Sequence, residues 1–166
     1  AIIAVDQEGG EISRIIGSAY EYAPDENGIK YGEIPLGAGI ETFLYPCAMA
    51  IAASGGAPTA QEPVPEFNAV RTAGLYIGQE LRAVGINCNL APVADINSNP
   101  ANPVIGTRSY GDDAERVAAD AAAFATGLQE SGVLAVAKHY PGHGDTSIDS
   151  HYGLPSVNKT LEELRS

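Results

Sequence analysis

Positive charge is what this chain has least of: nine Lys and Arg stand against 21 Asp and Glu, a formal net charge of -12. Phosphate backbones are bound by clustered cations, so this balance argues against a nucleic acid partner and against an anionic membrane surface. No uninterrupted apolar run approaches the ~20 residues that a membrane-spanning helix needs. The opening Ala1-Ile2-Ile3-Ala4-Val5-Asp6 lacks the basic start of a signal peptide. Cysteine is nearly absent as well. Cys47 lies in the apolar run Phe43 to Ala53 and Cys88 inside an expected strand, so each reads as a small core residue rather than half of a disulfide or a metal ligand. No G-x-G-x-x-G follows any apolar run, which leaves a dinucleotide site without support. With 166 residues there is room for one domain with a core and too little for two.

What the chain does concentrate is histidine. The stretch from Lys138 to His151 holds all three histidines, two aspartates and one of the three lysines. It follows the apolar run Val133 to Ala137, a short buried strand emptying into a polar loop. Pro141 with Gly142 and Gly144 rules out a helix there. Asp149 and His151, two residues apart, fall on the same side of an extended or turning segment. The carboxylate can then accept from one imidazole nitrogen, fix the tautomer and leave the other nitrogen facing outward. A histidine held in this way can give and take a proton near neutral pH.

The rest of the chain alternates strand and helix. Ala1 to Val5 reads as a buried strand ending at Asp6-Gln7-Glu8-Gly9-Gly10, and Ile15 to Leu36 as a long loop. Ile40 to Ala53 can form a short helix, with a connector over Gly55 to Pro65. Phe67 to Val84 carries Val70, Ala73, Ile77, Leu81 and Val84 at helical spacing before Gly85. Ile86 to Ala94 alternates at the strand period, with Ile86, Cys88 and Leu90 on one side and Asn87 and Asn89 on the other. In a small barrel those asparagines face the interior and need partners. Pro100 to Gly111 is loop. Asp112 and Glu115 then open a helix with Val117, Ala121, Phe124 and Leu128 as its buried stripe, and Thr160 to Glu163 starts another. Such alternation implies parallel strands, and parallel α/β folds gather their sites at the carboxyl ends of strands, where Asp6, Asp95, Lys138 and His139 all sit.

The string Lys138 to His151 resembles the K-H-F-P-G-H-G-x-T-x-x-D-S-H signature of glycoside hydrolase family 3, in the branch of bacterial beta-N-acetylhexosaminidases; Tyr140 replaces the usual Phe and keeps the ring. Ala4-Val5-Asp6-Gln7-Glu8-Gly9-Gly10 and Ile105-Gly106-Thr107-Arg108-Ser109-Tyr110 are similar to two further segments of the family, although Glu11 stands where arginine is common. The resemblance implies a TIM-type (β/α)8 barrel. A complete one needs ~250 residues, so residues 1–166 are expected to be a partial catalytic barrel domain, its middle portion of about three strands and their helices, with no second domain and with bare strand edges.

It also implies roles. His151 is the general acid/base and Asp149 its partner; Asp6, Arg14, Arg108, Lys138 and His139 hold the sugar, with Lys, His and Arg supplying donors and Asp accepting. A nucleophilic aspartate is expected on a later strand, beyond Ser166. The implied activity is retaining hydrolysis of terminal beta-linked N-acetylglucosamine on peptidoglycan or chitin-type fragments, without a cofactor. Either a cytoplasmic or a secreted bacterial protein fits. Three alternatives stand beside it: a phosphorylase, a non-catalytic sugar-binding relative, and a zinc site from His139, His143, Asp149 and His151, whose spacing matches no standard zinc pattern.

Overall fold

Alternating asparagines in a strand are costly to bury unless something answers them, and here the neighbouring strand does. The computed structural model describes residues 1–10, 12–14, 45–55, 68–157 and 159–163. The expected loop from Ile15 to Leu36 lies outside them, as do most of the connector after Gly55 and the start of the Ile40 to Ala53 helix. Three strands, β1 (Ala4–Val5), β2 (Cys88–Asn89) and β3 (Leu134–Ala135), pair in parallel in the order β1-β2-β3. Ala4 is opposite Cys88, and Cys88 opposite Leu134.

The regular ladder is shorter than the apolar runs because side chains take over part of the pairing. Asn87 Oδ1 accepts from the Ile3 N–H at 2.8 Å while its Nδ2 donates to the Ala1 carbonyl at 3.0 Å. Fully buried Asn89 does the same to one residue, accepting from Gln7 N–H at 3.0 Å and donating to its carbonyl at 2.8 Å. Beyond Asn89, Pro92 has no N–H to give. The strand pair resumes as an isolated bridge between Val93 and Lys138.

Two expectations about burial are corrected. Ala1 to Val5 and Val133 to Ala137 are not buried throughout, since Ile2, Ile3, Leu134 and Val136 are exposed. Leu90 is also exposed rather than sharing the buried side with Ile86 and Cys88. β1 and β3 are the outer strands among the described residues, so only β2 is flanked on both edges, and apolar sequence without a covering layer stays in solvent.

Among the described residues there are three α-helices, α1 (Ala48–Gly55), α2 (Ala69–Ala83) and α3 (Ala114–Glu130); α1 and α3 both pack on α2, and α3 also meets β3. Asn68 caps α2, its side chain accepting from Arg71 N–H, and Val70, Ala73, Ile77 and Leu81 are buried as their spacing demands. The cap of α3 is Asp113, which accepts from Arg116 N–H at 2.8 Å, and not Asp112. Asp113 lies three residues before the bonded N–H, the separation that lets a side chain at the cap position satisfy it. Val117, Ala121, Phe124 and Leu128 form the expected stripe. Cys88 is a buried core residue as expected, whereas Cys47 is only half-buried; both are free thiols. At Thr160 the main-chain N–H donates to Glu163 Oε2 at 2.7 Å and the Glu163 N–H donates to Thr160 Oγ1 at 3.3 Å, the reciprocal bonds of a capping box, and Leu161 to Glu163 form a turn rather than the expected helix.

Helices α2 and α3 meet backbone to backbone. A Cβ at Gly74 would lie 2.3 Å from the Phe124 carbonyl oxygen, and one at Gly127 would lie 2.1 Å from that of Arg71. No flexible side chain can yield at either point, so Gly127→Ala is expected to destabilise the full chain by about 1–3 kcal/mol, read as a lowered midpoint in urea, whereas Ala122→Gly on the exposed face should cost about 1 kcal/mol or less.

Candidate active site

A carboxylate is cheap to bury only when cations surround it, and Glu8 meets that condition. It follows β1 by three residues and its side chain is 6% exposed. Arg108 reaches it through Nε and Nη2, both at 2.8 Å, in the two-pronged geometry that suits a guanidinium and a carboxylate. Lys138 Nζ lies 2.5 Å from Glu8 Oε1 and 2.5 Å from Asp6 Oδ1. Burial alone would raise the Glu8 pKa; the bonds and charges of Arg108 and Lys138 outweigh it and hold the carboxyl below its ordinary value.

Arg108 ends a 3-10 turn, Gly106–Arg108, and is steadied by donating from Nη1 to the Val104 carbonyl at 3.1 Å. Lys138 arrives at the end of the third strand run, where its main chain pairs with Val93. The peptide bonds Lys138-His139 and Tyr140-Pro141 are cis. On the far side of Lys138, His139 Nδ1 is 2.6 Å from Asp95 Oδ2, and the other Asp95 oxygen accepts from the His143 N–H at 2.6 Å. An open cavity of about 290 Å³ lies against Asp95, Lys138, His139, Tyr140 and Pro141.

Of the seven residues singled out in the sequence, Asp6, Arg108, Lys138 and His139 come together in this cluster. Arg14 does not: it is exposed, its main-chain N–H donates to Gln7 Oε1 at 2.5 Å, and no ion pair joins its guanidinium to Asp6 or Glu8. Asp149 and His151 form a separate pair further along the loop. His151 Nδ1 is 2.7 Å from Asp149 Oδ1, which also accepts the His151 N–H at 2.8 Å. The main-chain N–H of His151, then its ring, hold the Asp149 carboxyl below the usual range, with a smaller electrostatic pull from His143. With 79% of its side chain exposed, His151 turns its second nitrogen toward solvent.

Glu8 and Asp95 were given no site role from sequence. A second carboxylate two residues after Asp6, and an aspartate at a strand end in a run shared with asparagines, were the available signals. Among the described residues no three His, Cys, Asp or Glu are grouped to hold a metal, so His139, His143, Asp149 and His151 do not converge as a zinc site.

The family model for the glycosyl hydrolase family 3 N terminal domain matches residues 32–166. A beta-hexosaminidase of Methylococcus capsulatus is 37% identical over 163 residues, which is 98% of this chain and 40% of that protein. Beta-hexosaminidase A of Pseudoalteromonas piscicida is 36% identical over 98% of this chain and 22% of its own length. A solved glycoside hydrolase family 3 beta-N-acetylglucosaminidase from a Paenibacillus species is 41% identical with a TM-score of 0.73, over 99% of this chain and 25% of that one. The chain therefore spans between 22% and 40% of the length of these relatives.

Glu8 carries a pH signature. A carboxyl whose folded pKa lies below its ordinary 4.5 adds stability that is complete above that value and disappears as pH falls through the lower folded one. Glu8→Gln is expected to cost about 1–3 kcal/mol at pH 7 and progressively less as pH falls from 4.5 through the lowered folded value; denaturant titrations of both proteins at pH 7 and at a series of acid pH values check it.

Proposed function

The chain belongs to glycosyl hydrolase family 3, and from that premise we propose that it contributes the sugar-holding cluster and the acid/base of a retaining beta-N-acetylhexosaminidase. Its three parallel strands and the helices between them are part of that family's (β/α)8 barrel. On this reading residues 1–166 are one part of a single catalytic domain. The observation that carries the proposal is the Asp149–His151 contact, because it supplies a proton-transfer group in a loop that follows directly on a cluster of hydroxyl-binding side chains.

Retaining hydrolysis needs a nucleophile and a proton donor, and most such enzymes use two carboxylates. Here Asp149 occupies Nδ1 of His151 and leaves Nε2 to serve the leaving group. In the first step an aspartate from another part of the barrel attacks the anomeric carbon, the bond from that carbon to the bridging oxygen breaks, and His151 passes its Nε2 proton to that oxygen. In the second step Nε2 takes a proton from water, whose oxygen attacks the anomeric carbon and releases the aspartate. Asp6, Arg108, Lys138 and His139 hold the sugar. Asp6, Glu8, Lys138 and Arg108 together are two anions and two cations, which presents strong directional hydrogen bonds without a net charge, as a neutral sugar requires. Arg14 joins them by reorientation of its exposed side chain. The names of the relatives, beta-hexosaminidase and beta-N-acetylglucosaminidase, support terminal beta-linked N-acetylglucosamine as the substrate class; peptidoglycan and chitin-type fragments both present it.

In the full-length protein that carries the whole barrel, His151→Ala is expected to lower turnover of unactivated N-acetylglucosaminides by about 10²–10⁴-fold while sparing the first step on substrates whose leaving group needs no proton. Steady-state and burst kinetics on a nitrophenyl glycoside and a disaccharide separate the two, and equal activity of variant and parent on both removes His151 from the mechanism.

A further inference from the structure

His139 is gripped at both ring nitrogens by partners that can each play only one role. Asp95 Oδ2 lies 2.6 Å from Nδ1 and also accepts the His139 main-chain N–H at 3.1 Å. Arg108 Nη2 lies 3.5 Å from Nε2. A guanidinium only donates, and an ionised carboxylate only accepts. Asp95 is ionised: its burial would raise the carboxyl, but the bonds from His139 and from the His143 main chain prevail and hold it below the ordinary carboxylate range. Only one arrangement satisfies all three groups, with the hydrogen on Nδ1 and the lone pair on Nε2.

We propose that Asp95 is a positioning residue that fixes His139 as its Nδ1–H tautomer, so that Nε2 accepts from Arg108 Nη2 and holds that donor toward the sugar rather than donating to the ligand itself. This rests on the glycosidase reading above, and it reverses the sequence-based grouping of His139 with the donors Lys138 and Arg108. The consequence is a site with its acceptor at Asp6 and its donors at Lys138 and Arg108, the last held by His139, next to a cavity that Lys138 and His139 line. A hydroxyl both donates and accepts, whereas an ether or carbonyl oxygen only accepts. Such a site therefore selects a ligand with free hydroxyls at this position over one whose hydroxyls are alkylated. Asp95 is suited to the task because it is 3% exposed and both of its oxygens are engaged, which leaves the carboxylate no freedom to turn away.

The test is nitrogen-15 NMR of the histidine-labelled full-length protein, which distinguishes the two neutral tautomers and the doubly protonated ring, together with kinetics on 4-nitrophenyl N-acetyl-beta-glucosaminide. The parent is expected to show His139 as Nδ1–H at pH 7. Asp95→Ala should show a mixture of tautomers and a KM raised about tenfold or more, with a smaller change in kcat, because it removes an acceptor that orders a binding group; Asp95→Glu should recover part of the Nδ1–H signature. A parent ring with its hydrogen on Nε2 or on both nitrogens overturns the proposal, and so does an Asp95→Ala ring that remains wholly Nδ1–H. Where Asp95→Ala does not fold, the parent spectrum decides. An Nδ1–H ring in a parent that turns over no N-acetylhexosaminide upholds the tautomer and sinks the glycosidase reading.

Discussion

One buried carboxylate connects parts of the chain that are far apart in sequence. Glu8 accepts Arg108 from 100 residues away and shares Lys138 with Asp6, 132 residues from it. Removing an ion from water costs several kcal/mol, and only close, well-aligned partners return that cost. The bidentate guanidinium and the short ammonium contacts supply such partners. As a result, the ends of the first and third strand runs and the 3-10 turn cannot shift independently. A shift of any one would strand a charge in a site that is largely closed to water.

The Asp149–His151 pair is held quite differently. Its bonds are all local: the ring and main-chain N–H of His151 go to the Asp149 carboxylate, and the N–H groups of Tyr152 and Gly153 go to its carbonyl at 3.0 Å. Local bonds set the tautomer of the ring without fixing its place over the cluster. On the proposed function, the part that holds the sugar is set by long-range ion pairs and the part that carries the proton by loop geometry, which suits a first part that must be rigid before the ligand arrives and a second that must serve two successive steps. Loops are where such groups commonly sit, on a scaffold that does not move with them.

How much of this was legible in the sequence depended on the range of the interaction. Helices α2 and α3 could be read because a stripe such as Val117, Ala121, Phe124 and Leu128 records burial at a fixed period. The Asp149–His151 contact was readable for the same reason, its two partners being neighbours. Asp113 as the cap in place of Asp112 was not, since either aspartate could have entered the turn first. Long-range pairings leave no such period. The role of Glu8 depends on Arg108 and Lys138 arriving beside it, and that of Asp95 on His139, so neither could be told from an ordinary strand-end carboxylate. The motif resemblance located Asp6, Arg108, Lys138 and His139, and the coordinates add what stands behind them. Leu134 and Val136 show the converse limit, because an apolar run records what a strand is suited to and not what covers it.

Asn87 and Asn89 give the sheet a property that hydrophobic pattern alone does not. Main-chain pairing repeats along a strand and tolerates sliding, but an amide side chain that imitates a peptide group exists only at its own position. Moving the second strand by a single residue would set Cys88 or Leu90 against the N–H and carbonyl of Gln7, with nothing to answer them. The two asparagines thus act as a vernier between adjacent strands, and the height at which Asp6 and Asp95 stand relative to one another is graduated by side chains bonded to the neighbouring main chain.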